Sequence, residues 1–574
     1  MKKKLEADSH SKLLSPSDES PKQPPSRRAF LKGFGAAAAA LPLGVLTDKA
    51  RQAGVDKALL PLNIKARRGQ AFQKRVSAAS ADHRIPTGKQ ITNGDETLYP
   101  NGIANFTKGF NHNSFGEIDP TVYASYLIAA KTGKRADFDA LTMGGTTPLT
   151  DPQAGLAFDL EAIDVSQSVL PPFATLTSPN LAAQTVENYW EALCRDVPVS
   201  QYATNSLTLA AAAELTSLQG FTGPRIGGAV TPQTLFRINV ANNLIGPYVS
   251  QFFLKPFNYG AMPFRGYLTD LPIANGGSDY MTDVASWLNV QNGAPQAIQS
   301  GHPDPTLRYI RSGRDLAAYV HIDVLFQEYL SAALMLSAMK APLNAGNPYS
   351  ASNLPSKSET GFVTFGLPMV EVLVAEVMAR ALKHAWFQKW FVHRMARPEE
   401  TGGLVHFRLT GARTAAQYPL DPSLLNSQAV AQVFSDNGTY LLPISYPEGS
   451  PQHPSYPSGH ATAAGAAVTV LKWFFDESFV VPNPIIATDD GSGVIAYTGS
   501  DAGQLTVGGE LNKLATNVGM GRNFAGIHWR QDAEQSLLLG ESVAISLLQD
   551  QKHLYSEGFT GFTFTKFDGT TITI

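Results

Sequence analysis

Basic residues and histidines gather in three separated segments of this 574-residue chain. The segment 386–399 carries Lys389 and Arg397, 450–461 carries His453 and the run Pro457-Ser458-Gly459-His460, and 521–532 carries Arg522, His528 and Asp532. Brought together, these residues make an anion site. Lys389 supplies a compact charge, while Arg397 and Arg522 supply planar forks that match the oxygens of a tetrahedral or trigonal-bipyramidal oxyanion. Ser458 and the Gly459 amide stand just before a helix expected from about Ala461, where free N–H groups and the helix dipole favour negative charge. Asp532, four residues after His528, can accept from one ring nitrogen and leave the other free as a ligand or nucleophile.

Helices must position these groups. Apolar residues return every three or four positions over 120–132, 185–195, 202–219, 232–254, 316–339, 366–394, 461–477 and 528–549. Pro398 is expected to end the 366–394 helix near Arg397, which lets Arg397 turn back toward Lys389. Eight residues of unbroken helix would hold the two roughly 12 Å apart. His528 is expected to open the last helix, whose apolar stripe includes Leu537, Leu538 and Ala544. The stretch 71–109 reads as polar and turn-rich, and 256–315, 341–365 and 399–457 as long connections rich in Gly, Pro and Asn. Gly558–Ile574 alternates around Asp568-Gly569 as a hairpin does. The fold class is therefore mainly α: helical bundles with long loops and a short C-terminal β-hairpin. We divide it into 1–50, a helical region 51–340, and a helical region 341–574 that holds the site. His321, His384 and His393 read as packing or surface histidines, and Arg394 and Arg530 as ion-pair or surface residues.

Composition bounds the rest. Hydrophobic residues make up 43% and charged residues 16%, as in a globular protein, and a formal charge of -3 gives no reason to expect a nucleic-acid partner. One cysteine, Cys194, excludes an intrachain disulfide and any Cys-rich metal site. It reads as a small buried apolar residue. The run 317–339 is apolar, yet His321, Asp323, Gln327 and Glu328 make it a core helix rather than a membrane span. The first fifty residues differ in character. A polar stretch ends at Ser26-Arg27-Arg28-Ala29-Phe30-Leu31-Lys32, and an Ala-rich apolar run follows to about Leu46. That is the twin-arginine export pattern of bacteria, so the expected destination is the periplasm or the exterior.

Together the three segments resemble the signature shared by the vanadium haloperoxidases and the type 2 phosphatidic acid phosphatases. In that signature a Lys is followed by Arg-Pro, then Pro-Ser-Gly-His, then an Arg six residues before a His that precedes an Asp by four. Lys389 and Arg397 lie eight apart, one more than in the phosphatases and fungal chloroperoxidases, and Gly521 stands where the phosphatases usually carry Ser. His453, seven before His460, replaces the phenylalanine of the fungal chloroperoxidases. These features are those of the algal bromoperoxidases and their bacterial relatives.

The resemblance implies a vanadate cofactor, with His528 as the axial ligand of vanadium and Lys389, Arg397, Ser458, Gly459 and Arg522 on the vanadate oxygens. It further implies catalytic roles for His460 at the opposite apical oxygen, Lys389 on bound peroxide and His453 in halide choice, supported by Asp532 and by Trp386 as a wall of the site. The expected reaction is oxidation of bromide or iodide, and less readily chloride, by hydrogen peroxide to hypohalous acid, which halogenates an organic acceptor. The same residues would suit an exported acid phosphatase in which His528 is the nucleophile and His460 the acid. A non-catalytic oxyanion carrier would need neither His453 nor His460. Ser458 does not sit in a nucleophile elbow, which leaves a serine hydrolase the weakest reading. A homo-oligomer is expected by the same resemblance.

Overall fold

In the computed structural model the helix expected from Ala461 starts two residues earlier and runs over Gly459–Phe474, with Ser458 as its N-cap. Every residue in it except His460 is buried. The helices Leu367–Phe387, Val507–Phe524 and Arg530–Gln551 pack around it. Against Arg530–Gln551 the approach is close enough to require glycine. A Cβ on Gly465 would collide with the Leu537 backbone, and one on Gly540 with the Thr462 carbonyl. The small residues of 459–467 thus let two helix backbones meet, while Val468, Val470, Leu471, Leu537, Val543 and Leu547 fill the core beside them.

The structure describes residues 63–264, 266–268, 279–295, 307–350, 356–558 and 560–574. The export leader expected at 1–50 lies outside them. Residues from Lys74 to Ile574 form one unit, mainly helical as the sequence leads one to expect, and its chain ends in the expected hairpin, Thr563–Thr565 against Thr571–Thr573. Gly569 makes the hairpin's turn at φ 84°, a left-handed conformation that costs glycine little. Cys194 is buried, in the helix Pro179–Cys194. No described helix is long and apolar enough to cross a membrane.

Several elements depart from the sequence reading. The helix expected over 232–254 is a chain of turns that becomes helical only at Gln251–Leu254. Phe236, Asn242 and Gly246 have positive φ, and the Arg237 guanidinium ties the turn by donating to the Asn243 and Gly246 carbonyls at 2.6 and 3.3 Å. The 316–339 helix is broken into Gly313–Tyr319 and Gln327–Ala338. At the break, the Val320 carbonyl accepts from Arg522 Nη1 at 2.5 Å and Asp323 turns to His460. Pro398 does not end a helix at Arg397. The preceding helix stops at Phe387, widens into a π-type turn over Gln388–His393, and gives way at Arg394, whose φ is 44°. Pro398 instead begins a new helix, Pro398–Leu409, because its fixed φ and missing N–H suit a first turn.

Several helices are not expected from the sequence. Pro398–Leu409 and Gln428–Asn437 occupy the stretch read as a long connection, and Val507–Phe524, buried along its whole length, lies in a run whose Gly and Asn content is unfavourable for a helix. The helix Ile64–His83, which has no buried residue, takes in the first part, 71–83, of the stretch read as turn-rich.

Candidate active site

The π-type turn after Phe387 carries Lys389 into the interior, where it is 0% exposed. Its Nζ donates to the Pro454 and Ser455 carbonyls, each at 2.7 Å. Arg397 is equally buried, at the N-cap of Pro398–Leu409. Glu400 fixes its backbone by accepting from the Arg397 amide at 2.6 Å. The guanidinium then reaches across the site. Nε and Nη2 donate to the His453 carbonyl at 3.0 and 2.9 Å, Nη2 lies 3.0 Å from His453 Nδ1, and Nη1 donates to the Ile527 carbonyl at 2.9 Å. Arg522 completes a set of three buried cations. Its guanidinium lies over the Tyr446 ring at 5.5 Å, and its Nε has no hydrogen-bond partner.

His528 does not open the last helix. Gly526 turns the chain at φ 82°, where a Cβ would meet Ile444 Cδ1 at 2.7 Å, and the helix starts only at Arg530. The contact with Asp532 nonetheless forms. His528 Nδ1 lies 2.6 Å from Asp532 Oδ2, which also accepts from the Trp529 amide at 3.1 Å and from the Ser455 hydroxyl. A carboxylate with this many donors fixes the tautomer: Nδ1 carries the proton and the Nε2 lone pair faces the cations. Arg397 Nη1 lies 2.9 Å from that Nε2.

Ser458 and Gly459 open the central helix toward the same space, with the Ser458 amide held by Ser536 Oγ at 2.7 Å. His460, the next residue, places Nε2 3.1 Å from Asp323 Oδ1. His453 is buried, with its ring 4.7 Å from that of Trp386. The Lys389 ammonium lies 5.8 Å from the same indole. Trp386 therefore stands as a wall beside Lys389, His453 and Gly459; a Cβ on that glycine would approach its ring to 3.0 Å. All the residues singled out in the three sequence segments are thus brought to one place.

The electrostatics follow from burial. Dehydration, then the other cations, push Lys389 well below an ordinary lysine, against the pull of Asp532. Arg397 is lowered to about 10, chiefly by burial. His453 and His528 are held well below the usual imidazole range by burial and by the neighbouring positive charges. Burial also lowers His460, although Asp323 opposes it. Asp532 is raised to about 6 by burial, against the Ser455 hydrogen bond and the Lys389 charge. Among the described residues none of Lys389, Arg397 and Arg522 forms an ion pair. Uncompensated buried charge is expensive. Three such groups around one imidazole, with Arg397 on its Nε2, beside a helix N-terminus, are what a bound oxyanion with an electrophilic centre would satisfy.

The residues read as structural behave so. Arg394 pairs with Glu96 at 2.6 Å and Arg530 with Glu187, while His384 lies 2.7 Å from Ser168 Oγ. His321 stacks on Tyr446 at 3.8 Å, and His393 packs against Tyr456 at 4.8 Å. Two contributors to the site escaped the sequence reading. Ser455 lies inside the second segment, but its bond to Asp532 has no sequence signal. Asp323 carries one, as a carboxylate in an apolar run, which by itself argues only against a membrane span.

Comparison with known proteins fits this geometry. Residues 372–557 match the VCPO second helical-bundle domain. Over 600 residues the chain is 34% identical to a vanadium-dependent bromoperoxidase of Corallina officinalis, covering 89% of this chain and 99% of the relative. It is 36% identical over 539 residues to one of Ascophyllum nodosum, covering 89% of this chain and 93% of the relative. The homohexameric structure of the second vanadate-dependent bromoperoxidase of Ascophyllum nodosum superposes with a TM-score of 0.83 at 30% identity, over 94% of this chain and 93% of that one.

Proposed function

The chain belongs to the vanadium-dependent bromoperoxidases, and on that premise we propose that it uses hydrogen peroxide and vanadate to oxidise bromide or iodide, and chloride less readily, to hypohalous acid that halogenates an organic acceptor. The observation that carries this reading is the grouping of buried Lys389, Arg397 and Arg522, without ion-pair partners among the described residues, around His528, whose Nε2 lies 2.9 Å from Arg397 Nη1.

In this reading His528 Nε2 would hold the vanadate, and Asp532 keeps the ring in the tautomer and orientation that leave Nε2 available. Lys389, Arg397, Arg522, Ser458 and the Gly459 amide would hold its oxygens. When bound, vanadate supplies a Lewis acid at which peroxide is activated for attack by halide. Lys389 would supply a buried positive charge beside the oxygens held there. His460 exchanges a proton with the site through Nδ1, since Nε2 is committed to Asp323. Trp386 and His453 shape the side from which halide enters.

The test is bromination of a phenol-type dye with peroxide and bromide. Protein stripped of oxyanions should be inactive, gain activity on adding orthovanadate, and fail to gain it when excess phosphate is present during reconstitution. No bromination with vanadate, together with phosphate-monoester hydrolysis that vanadate inhibits, would make the protein a phosphatase.

Two further features belong to the same proposal. The chain works as a homo-oligomer, and it is exported by the twin-arginine machinery to the periplasm or beyond, on the strength of Arg27 and Arg28 and the apolar run after them. Replacing both arginines by lysine should leave the protein in the cytoplasm of a bacterial host; unchanged export would remove the twin-arginine assignment.

A further inference from the structure

We propose that Glu328 is a positioning residue of this site: a neutral carboxylic acid behind Asp323 whose O–H donates to the Asp323 carboxylate and fixes the group that orients His460. The inference rests on the role given to His460 above.

The chain breaks between the helices Gly313–Tyr319 and Gln327–Ala338. That break sets Asp323 against His460 through Oδ1, while Glu328, in the first turn of the following helix, lies behind it. Glu328 is 2% exposed. Both of its carboxyl oxygens, and Asp323 Oδ2, are buried and receive no hydrogen bond of ordinary geometry. The two carboxyl groups are within hydrogen-bonding reach of each other.

Two ionised carboxylates so placed would offer acceptors only and repel each other in a dry interior. A single proton between them turns the same geometry into an O–H···O bond to a charged acceptor, which is among the stronger kinds. The surroundings decide where that proton resides. Asp323 faces His460 and the Arg522 guanidinium, whereas Glu328 faces Tyr319 and Tyr329 and, among the described residues, no cation acts on it. Burial, then the Asp323 charge, push the Glu328 carboxyl well above the usual range. Burial would raise Asp323 as well, but His460 and the Glu328 hydroxyl outweigh it and hold Asp323 below its ordinary value. The proton belongs to Glu328, and Asp323 stays an anion with one oxygen for each neighbour. Without the donor behind it, Asp323 is free to rotate, and His460 loses the partner that fixes its ring through Nε2.

The experiment compares E328Q with E328M. Glutamine keeps a donor toward Asp323 at the same reach, and methionine keeps the length without the donor. After reconstitution with vanadate, E328Q should retain kcat for bromide oxidation within about twofold, and E328M should lose roughly tenfold, a fraction of what a general acid–base group contributes. KM for bromide and vanadate affinity should stay near wild type in both. E328M with wild-type kcat, or E328Q as impaired as E328M, would overturn the proposal. A second readout needs no turnover. Infrared spectra of the vanadate-free protein should show a protonated-carboxyl C=O stretch that E328Q removes, and its absence from the wild type would also overturn the proposal, even if E328M does not fold. Failure of the wild type itself to brominate would count against the proposed activity, whereas failure of the infrared test counts against the carboxyl pair.

Discussion

Replacing His528 by alanine should abolish vanadate-dependent bromination and weaken vanadate binding by at least about a hundredfold, more than is lost when groups behind a metal ligand are removed. The expectation rests on what His528 alone supplies. The three cations and the N-terminus of Gly459–Phe474 attract any oxyanion, but only the Nε2 lone pair, fixed by the 2.6 Å contact of Nδ1 with Asp532, can bond to the central atom. His528→Ala should therefore still bind phosphate or vanadate weakly through charge, without turnover. Equilibrium dialysis against orthovanadate, with the dye assay alongside, reads both effects. Affinity within a few-fold of wild type would show that charge alone holds the cofactor, and the role given to His528 would have to be withdrawn.

Asp532→Ala should lower vanadate affinity by about 10- to 100-fold while leaving His528 in place. Asp532 Oδ2 accepts from the His528 ring, the Trp529 amide and the Ser455 hydroxyl, and it faces the Lys389 and Arg397 charges. Its removal leaves buried donors without an acceptor, at about 1–3 kcal/mol each, and takes away the anion nearest to those cations. The vanadate-free variant should be less stable by about 3 kcal/mol, the stranded donors being partly offset by relief of burying a carboxylate. Saturating vanadate should restore part of that loss, because a ligand that binds only the folded state stabilises it. Calorimetry of the variant with and without vanadate measures this. Stability and affinity both unchanged would mean that Asp532 neither orients His528 nor balances the cations.

Much of the site could be read in the sequence because its residues sit in short runs whose spacing reports chemistry directly. Ser458-Gly459-His460 at a helix start, and His528 four residues before Asp532, state their local geometry almost unaided. The resemblance added roles that spacing alone could not assign, such as those of His453 and Trp386. What stayed hidden depends on long-range partners. The break that frees Asp323 is stabilised by Arg522 taking the Val320 carbonyl and by His460 taking Asp323, residues about 200 and 137 positions away. Apolar periodicity sees neither, so it joined two helices into one. The same blindness works in reverse for Val507–Phe524, where packing on every side overrides glycines and asparagines that would weaken an isolated helix. The proline before Glu399 was misread because Pro398 can close one helix or open another. The Glu400 carboxylate, accepting from the Arg397 amide at 2.6 Å, decides for the second.

The most direct test of the account is a crystal structure of the protein grown with orthovanadate, with anomalous data collected to locate vanadium. The account predicts a single strong peak within bonding distance of His528 Nε2, with Arg397 moved off that nitrogen onto the vanadate oxygens and Lys389 and Arg522 beside it. Vanadium elsewhere, or anion density among the cations with Arg397 still on Nε2, would contradict it.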